Sequence, residues 1–88
     1  MIKRSYLDVI HDILSVAING KRKTHIMYKA NLSYTQLNTY LRFLLDIGLL
    51  SEYKVDENIT IYKTTKKGRT FIKEYCEIMK LLGLHADS

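Results

Sequence analysis

The stretch Ile26-Met27-Tyr28-Lys29-Ala30-Asn31-Leu32-Ser33-Tyr34-Thr35-Gln36-Leu37 decides the fold. Ser33-Tyr34-Thr35-Gln36 has the Ser-x-x-Gln form of a capping box, in which side chain and backbone satisfy each other at a helix start. The spacing predicts a helix over about 33–47, with Leu37, Tyr40, Leu41, Leu44 and Leu45 on one face and Gly48 as its stop. Upstream, a short helix is predicted from Thr24, as N-cap, to Ala30, ended by Asn31. Two helices joined by Asn31-Leu32-Ser33 make a helix-turn-helix unit.

Working outward, Ser5 with Asp8 three residues on starts a first helix that runs to about Asn19, before Gly20. Its apolar arc includes Tyr6, Ile10, Ile13, Leu14 and Ala17, widened by Leu7, Val9, Val16 and Ile18. So wide an arc predicts cover on two sides. Lys21-Arg22-Lys23 reads as a charged turn. Downstream, 50–55 and 59–64 read as strands joined by Asp56-Glu57-Asn58, with Tyr53 and Val55 alternating with charged Glu52 and Lys54. A last helix is predicted over 65–82, carrying Phe71, Ile72, Tyr75, Cys76, Ile78, Met79 and Leu82. The expected fold class is α+β, mainly α: a winged helix-turn-helix with a three-helix core, a two-stranded wing and a C-terminal helix, as one domain over 1–88.

Composition narrows the function. The chain has 88 residues, 47% of them apolar, and a net charge of +5 from 14 basic and 9 acidic residues. Such an excess favours polyanionic partners. One cysteine, Cys76, rules out an intrachain disulfide and fits a reducing compartment. No apolar run approaches the roughly 20 residues of a membrane span. Met1-Ile2-Lys3-Arg4 leads straight into an amphipathic pattern, unlike a signal peptide, so the expected location is cytoplasmic and nucleoid-associated. His11, His25 and His85 have no metal-ligand spacing with one another or with Cys76, and no Gly-rich phosphate loop or paired-carboxylate motif is present. No catalytic residue, metal, cofactor or small-molecule ligand is expected.

The third helix turns Thr35, Asn38, Thr39 and Arg42 away from its apolar face. In a helix-turn-helix reader that face enters the major groove. Asn and Arg pair with adenine and guanine edges, and Thr bonds or touches a thymine methyl. These four are the expected base-reading residues. Lys21, Arg22, Lys23 and Lys29, with Ser33, Tyr34 at the edge of the buried face, and Lys54 and Lys63 on the wing strands, are the expected phosphate contacts. The acidic wing tip repels phosphate, so whether the wing touches DNA stays open. In the last helix, Ile72, Tyr75, Met79 and Leu82 follow the three-and-four spacing of a coiled-coil seam. With Tyr6 of the first helix they are the expected homodimer interface.

The segment from Ile26 to Tyr34, with Gln36-Leu37, Tyr40-Leu41, Leu44-Leu45 and Gly48-Leu49-Leu50, resembles the winged-helix DNA-binding proteins of archaea. These include ten-kilodalton chromatin-type proteins and related viral regulators. Tyr62 and Thr65-Lys66-Lys67-Gly68 resemble that family's wing-to-helix junction, with Thr64 where an aliphatic residue is usual. The resemblance covers residues 5–80. It implies double-stranded DNA binding by the third helix and wing, and dimerisation through an antiparallel pair of C-terminal helices. The last helix here is about 25 Å long at 1.5 Å per residue, shorter than in the chromatin-type members, which points to a compact dimer. Three functions share this pattern: a transcriptional regulator reading the major groove, a sequence-tolerant architectural protein, and a winged helix used for protein–protein interaction.

Overall fold

A computed structural model describes residues 4–84; the opening Met1–Lys3 and His85 lie outside them. The elements run α1 (Tyr6–Val16), β1 (Lys21–Arg22), α2 (Lys23–Ala30), α3 (Tyr34–Asp46), β2 (Leu50–Asp56), β3 (Ile59–Thr64) and α4 (Lys66–Leu81). This is the expected α+β winged helix, mainly helical.

Local chemistry sets the helix ends. The Ser5 hydroxyl accepts from the Asp8 amide while the Asp8 carboxylate accepts from the Ser5 amide, closing a capping box on α1. Ser33 and Gln36 repeat the arrangement on α3. Asn31 ends α2 in the left-handed region at φ 56°, which Asn tolerates better than most residues. Two expectations are corrected at α2. It starts at Lys23, and its N-cap is Arg22, with no side-chain bond to the helix end; Thr24 lies inside the first turn. Helix α1 also stops at Val16, with Ala17 as C-cap.

Lys21 and Arg22 are a strand rather than a turn. They pair antiparallel with Tyr62 and Ile61, so β3 sits between β1 and β2 in a three-stranded sheet. The β2–β3 hairpin is the wing. Leu50 is buried with Tyr62 and Thr64 on the core face of the sheet, but Tyr53, paired with Ile61, lies on the opposite face and Val55 at the register shift before Asp56, and both are exposed.

The core joins Ile10, Ile13, Leu14 and Ala17 of α1 and its end to Ile26, Ala30, Leu37, Leu41, Leu44, Leu49, Leu50 and Tyr62. As its wide arc predicts, α1 is covered by both α2 and α4. Helix α4 runs antiparallel to α1. Thr64, just before α4, bonds to Leu14 and Ala17 at the far end of α1, while Tyr75 lies beside Asp8 and His11 near its start. The junction leaves no room at Gly68: a Cβ there would lie 2.3 Å from the Leu49 carbonyl oxygen and 2.6 Å from Thr64 Cγ2.

Candidate nucleic-acid interface

The four expected base-reading residues share one surface. Thr35, Thr39 and Arg42 are exposed and Asn38 half-buried. Together with Tyr34 they line a shallow depression of about 320 Å³ along α3. The Thr39 hydroxyl is spent on the Thr35 carbonyl at 3.2 Å, so Thr39 offers this surface mainly its methyl group. Arg42 has no side-chain hydrogen bond or ion pair among the described residues.

One flank of α3 faces the wing across a groove of about 410 Å³ lined by Lys23, Asn38, Leu41, Arg42, Leu45, Asp46, Glu52 and Tyr62. Burial raises the Tyr62 phenol above its ordinary range, and the Glu52 carboxylate adds to this. The wing thus brings a negative charge, Glu52, to the border of the surface that carries Asn38 and Arg42, which the sequence had not singled out.

Lys23 connects three elements. It lines that groove, and its Nζ lies 5.2 Å from the centre of the Tyr34 ring. Tyr34 is exposed, not packed at the edge of the core as expected, because it is the first residue of α3 and projects beyond the packed faces. The Asn38 side chain first, and the Lys23 ammonium second, hold its phenol below the ordinary tyrosine range. Ser33 caps α3 beside it.

The remaining expected phosphate contacts are dispersed. Arg22 lines a second groove with Lys23, Thr24, Asn58, Thr60 and Tyr62. Lys21 and Arg22 border a third, of about 610 Å³, with His25 and the exposed ring of Tyr28. Lys29 lies in the last turn of α2, about 240° around the helix from Lys23 at 100° per residue. Lys54 pairs with Thr60, and Lys63 with Ser51. Side chains alternate along a strand, so Lys54 shares the Glu52–Tyr62 face toward α3 while Lys63 points from the opposite face of the wing.

The expected interface residues divide. Ile72 packs on the core. Tyr75 donates to the Asp8 carboxylate, and its ring stacks on His11 with centroids 4.3 Å apart. Met79 is half-buried. Ile72 and Tyr75 thus turn towards the chain's own body. The outward apolar residues are Tyr6 and Leu7 on α1 and Ile78, Leu81 and Leu82 at the end of α4. Among the described residues, no group of three His, Cys, Asp or Glu is placed to hold a metal ion, and no helix is long and apolar enough to cross a membrane.

Comparison with known proteins agrees with the architecture. The Methanocaldococcus jannaschii protein MJ0287 is 36% identical over 78 residues, covering 88% of this chain and 78% of that protein. MJ0290 from the same organism is 32% identical over 82 residues, and there the match spans 36% of the relative's length. The solved structure of Sso10a-2, a DNA-binding protein from Sulfolobus solfataricus, superposes with a TM-score of 0.82 at 26% identity over 91% of this chain and 83% of that one. ZitR of Lactococcus lactis, a zinc-responsive MarR family member, shares the fold at 18% identity and a TM-score of 0.67, over 84% of this chain and 52% of its own. The resemblance to archaeal winged-helix proteins therefore holds. With residues 3–83 matched by the winged helix-turn-helix family, the chain belongs to that family.

Proposed function

We propose that the chain binds double-stranded DNA as a homodimer and regulates transcription, with α3 lying in the major groove. The observation that carries this is the open face of α3. Thr35, Asn38, Thr39 and Arg42 lie on one continuous surface, with the Lys23–Tyr34 pair at its N-terminal end. Asn38 and Arg42 would read base edges, and Thr35 and Thr39 would contact them through hydroxyl and methyl. Lys23, Arg22, Lys21, Ser33 and Tyr34 would hold phosphates, joined by Lys54 on the wing face turned toward α3. Lys29 and Lys63 would lie outside this contact. The exposed apolar residues of α1 and α4 would form the dimer interface, placing two reading helices about 34 Å apart on successive major grooves. That Sso10a-2 is a DNA-binding protein, and that ZitR has been solved in complex with DNA, supports this use of the fold. The protein would act by binding alone, at the nucleoid.

Fluorescence anisotropy with labelled duplexes tests the reading. Neutralising about six phosphates predicts a log–log salt slope near −5. Preference for a selected site by roughly 10³-fold or more over random DNA marks a regulator. A uniform affinity would mark a sequence-tolerant architectural protein, and a salt slope near zero would remove DNA from the account.

A further inference from the structure

Two apolar features of this chain have no partner among the described residues. The first is a cleft of about 320 Å³ between α1 and α3, lined by Tyr6, Ile10, Thr39, Tyr40 and Phe43. It is at the small end of the roughly 300–1,000 Å³ typical of ligand clefts. The only hydroxyl of Thr39 is already bonded to Thr35, and Phe43 and Tyr6 stand 47% and 65% exposed at the cleft. The second is the tip of α4. Tyr75 lies beside Asp8 and His11. Seven residues further along an antiparallel helix, about 10 Å at 1.5 Å per residue, Leu82 has passed the start of α1. Leu81 is 85% exposed and Leu82 64%.

The tip cannot fill the cleft of its own chain. On α1, His11 and Asp8 face α4, whereas Tyr6 and Ile10 face the cleft. At 100° per residue these two faces lie about 100–160° apart around the helix. Charge also narrows the choice of occupant. Two copies of a chain with a net charge of +5 repel each other over most of their surfaces. The cleft lining and the Leu81–Leu84 tip carry no charged side chain, so they are where two copies meet at least electrostatic cost.

We infer that the α1–α3 cleft is the seat for Leu81 and Leu82 of a second copy, so that each chain's α4 tip packs against the flank of its partner's α3. This rests on the homodimer reading above and sharpens it. Phe43 and Tyr40 line the cleft from the same helix whose adjacent face carries Thr39, Arg42 and Asn38. A seated tip would therefore fix the reading helix of the partner, and dimerisation and DNA binding would be linked.

Complementation tests this with the full-length protein. Phe43→Arg spoils the cleft; Leu81→Arg with Leu82→Arg spoils the tip. All three positions are exposed, and far-UV circular dichroism checks that the fold survives. A dimer of either variant alone has no intact cleft–tip contact. A heterodimer of the two has one. Sedimentation velocity should show each variant monomeric at a concentration where the wild type is dimeric, and an equimolar mixture should regain association. As a second measurement, in a Cys76→Ser background, Phe43→Cys mixed with Leu82→Cys should give a mixed disulfide in preference to either symmetric one. Loss of dimer in the tip variant with a dimeric Phe43→Arg, or a mixture that stays monomeric, would overturn the cleft seat while leaving the homodimer standing. A wild type that is monomeric at high concentration would overturn both.

Discussion

The Thr64 hydroxyl donates to the carbonyl oxygen of Leu14, fifty positions earlier, at 2.6 Å, and the Thr64 amide donates to Ala17 at 3.0 Å. The end of β3 thereby satisfies the Leu14 carbonyl where α1 stops and adds a second bond to the Ala17 carbonyl, which also accepts from the Gly20 amide, inside the core where Thr64 is 2% exposed. This accounts for a polar side chain inside the core. Thr64→Val keeps the shape but strands a buried carbonyl, which costs about 1–3 kcal/mol. Urea unfolding should show a lower midpoint with an unchanged slope. An unchanged midpoint would mean that water or a shifted backbone takes over the bond.

Gly68 has no freedom to gain a side chain. With the Leu49 carbonyl and Thr64 within 2.3 and 2.6 Å of a built Cβ, Gly68→Ala forces α4 away from the sheet. The expected loss is about 1–3 kcal/mol, despite alanine's better helix propensity, and is read as a fall in melting temperature.

Acid should loosen the α1–α4 contact. The Tyr75 hydroxyl, foremost, and the Ser5 amide hold the Asp8 carboxyl below its ordinary value of 3.8. The unfolded chain therefore takes up that proton first as pH falls. The stability that Asp8 contributes is fully present above about pH 4 and is lost as pH drops through the lower folded value. Tyr75→Phe should destabilise at pH 7, and the gap from wild type should shrink below pH 4. A gap independent of pH would mean that the Tyr75 hydroxyl acts on the fold without favouring the charged form of Asp8.

On DNA, Arg42 and Lys23 should separate cleanly. Arg42→Ala should cost about 1–3 kcal/mol at a selected site and relax preference there. Lys23→Ala should weaken all sequences alike and make the salt slope shallower by about 1. Equal effects of both on random and selected duplexes would count against base reading by α3.

The helix starts at Ser5 and Ser33 were legible because a capping box is written within four residues, and Asn31 marks the turn for a similarly local reason. That Thr35, Asn38, Thr39 and Arg42 share one surface of α3 followed from helical period alone. Strand β1 was hidden, since two residues inside a run of three cations become a strand only through β3, some forty positions on. The outward Tyr53 and Val55 misled because alternation reports a two-sided strand, not whether anything lies beneath it. Tyr75 fits a seam between chains by spacing, and its contacts within the chain, Asp8 and His11, were not legible because they depend on how two distant helices cross.

Near the far end of α3, the Thr65 hydroxyl donates to the Gly48 carbonyl at 2.6 Å and the Lys67 ammonium to the Ile47 carbonyl at 2.7 Å. These stitches tie the tail of one helix to the head of the next. Anchored at that seam, α3 and α4 share one hinge-free corner, and a substitution that displaces the head of α4 would carry the tail of α3 with it.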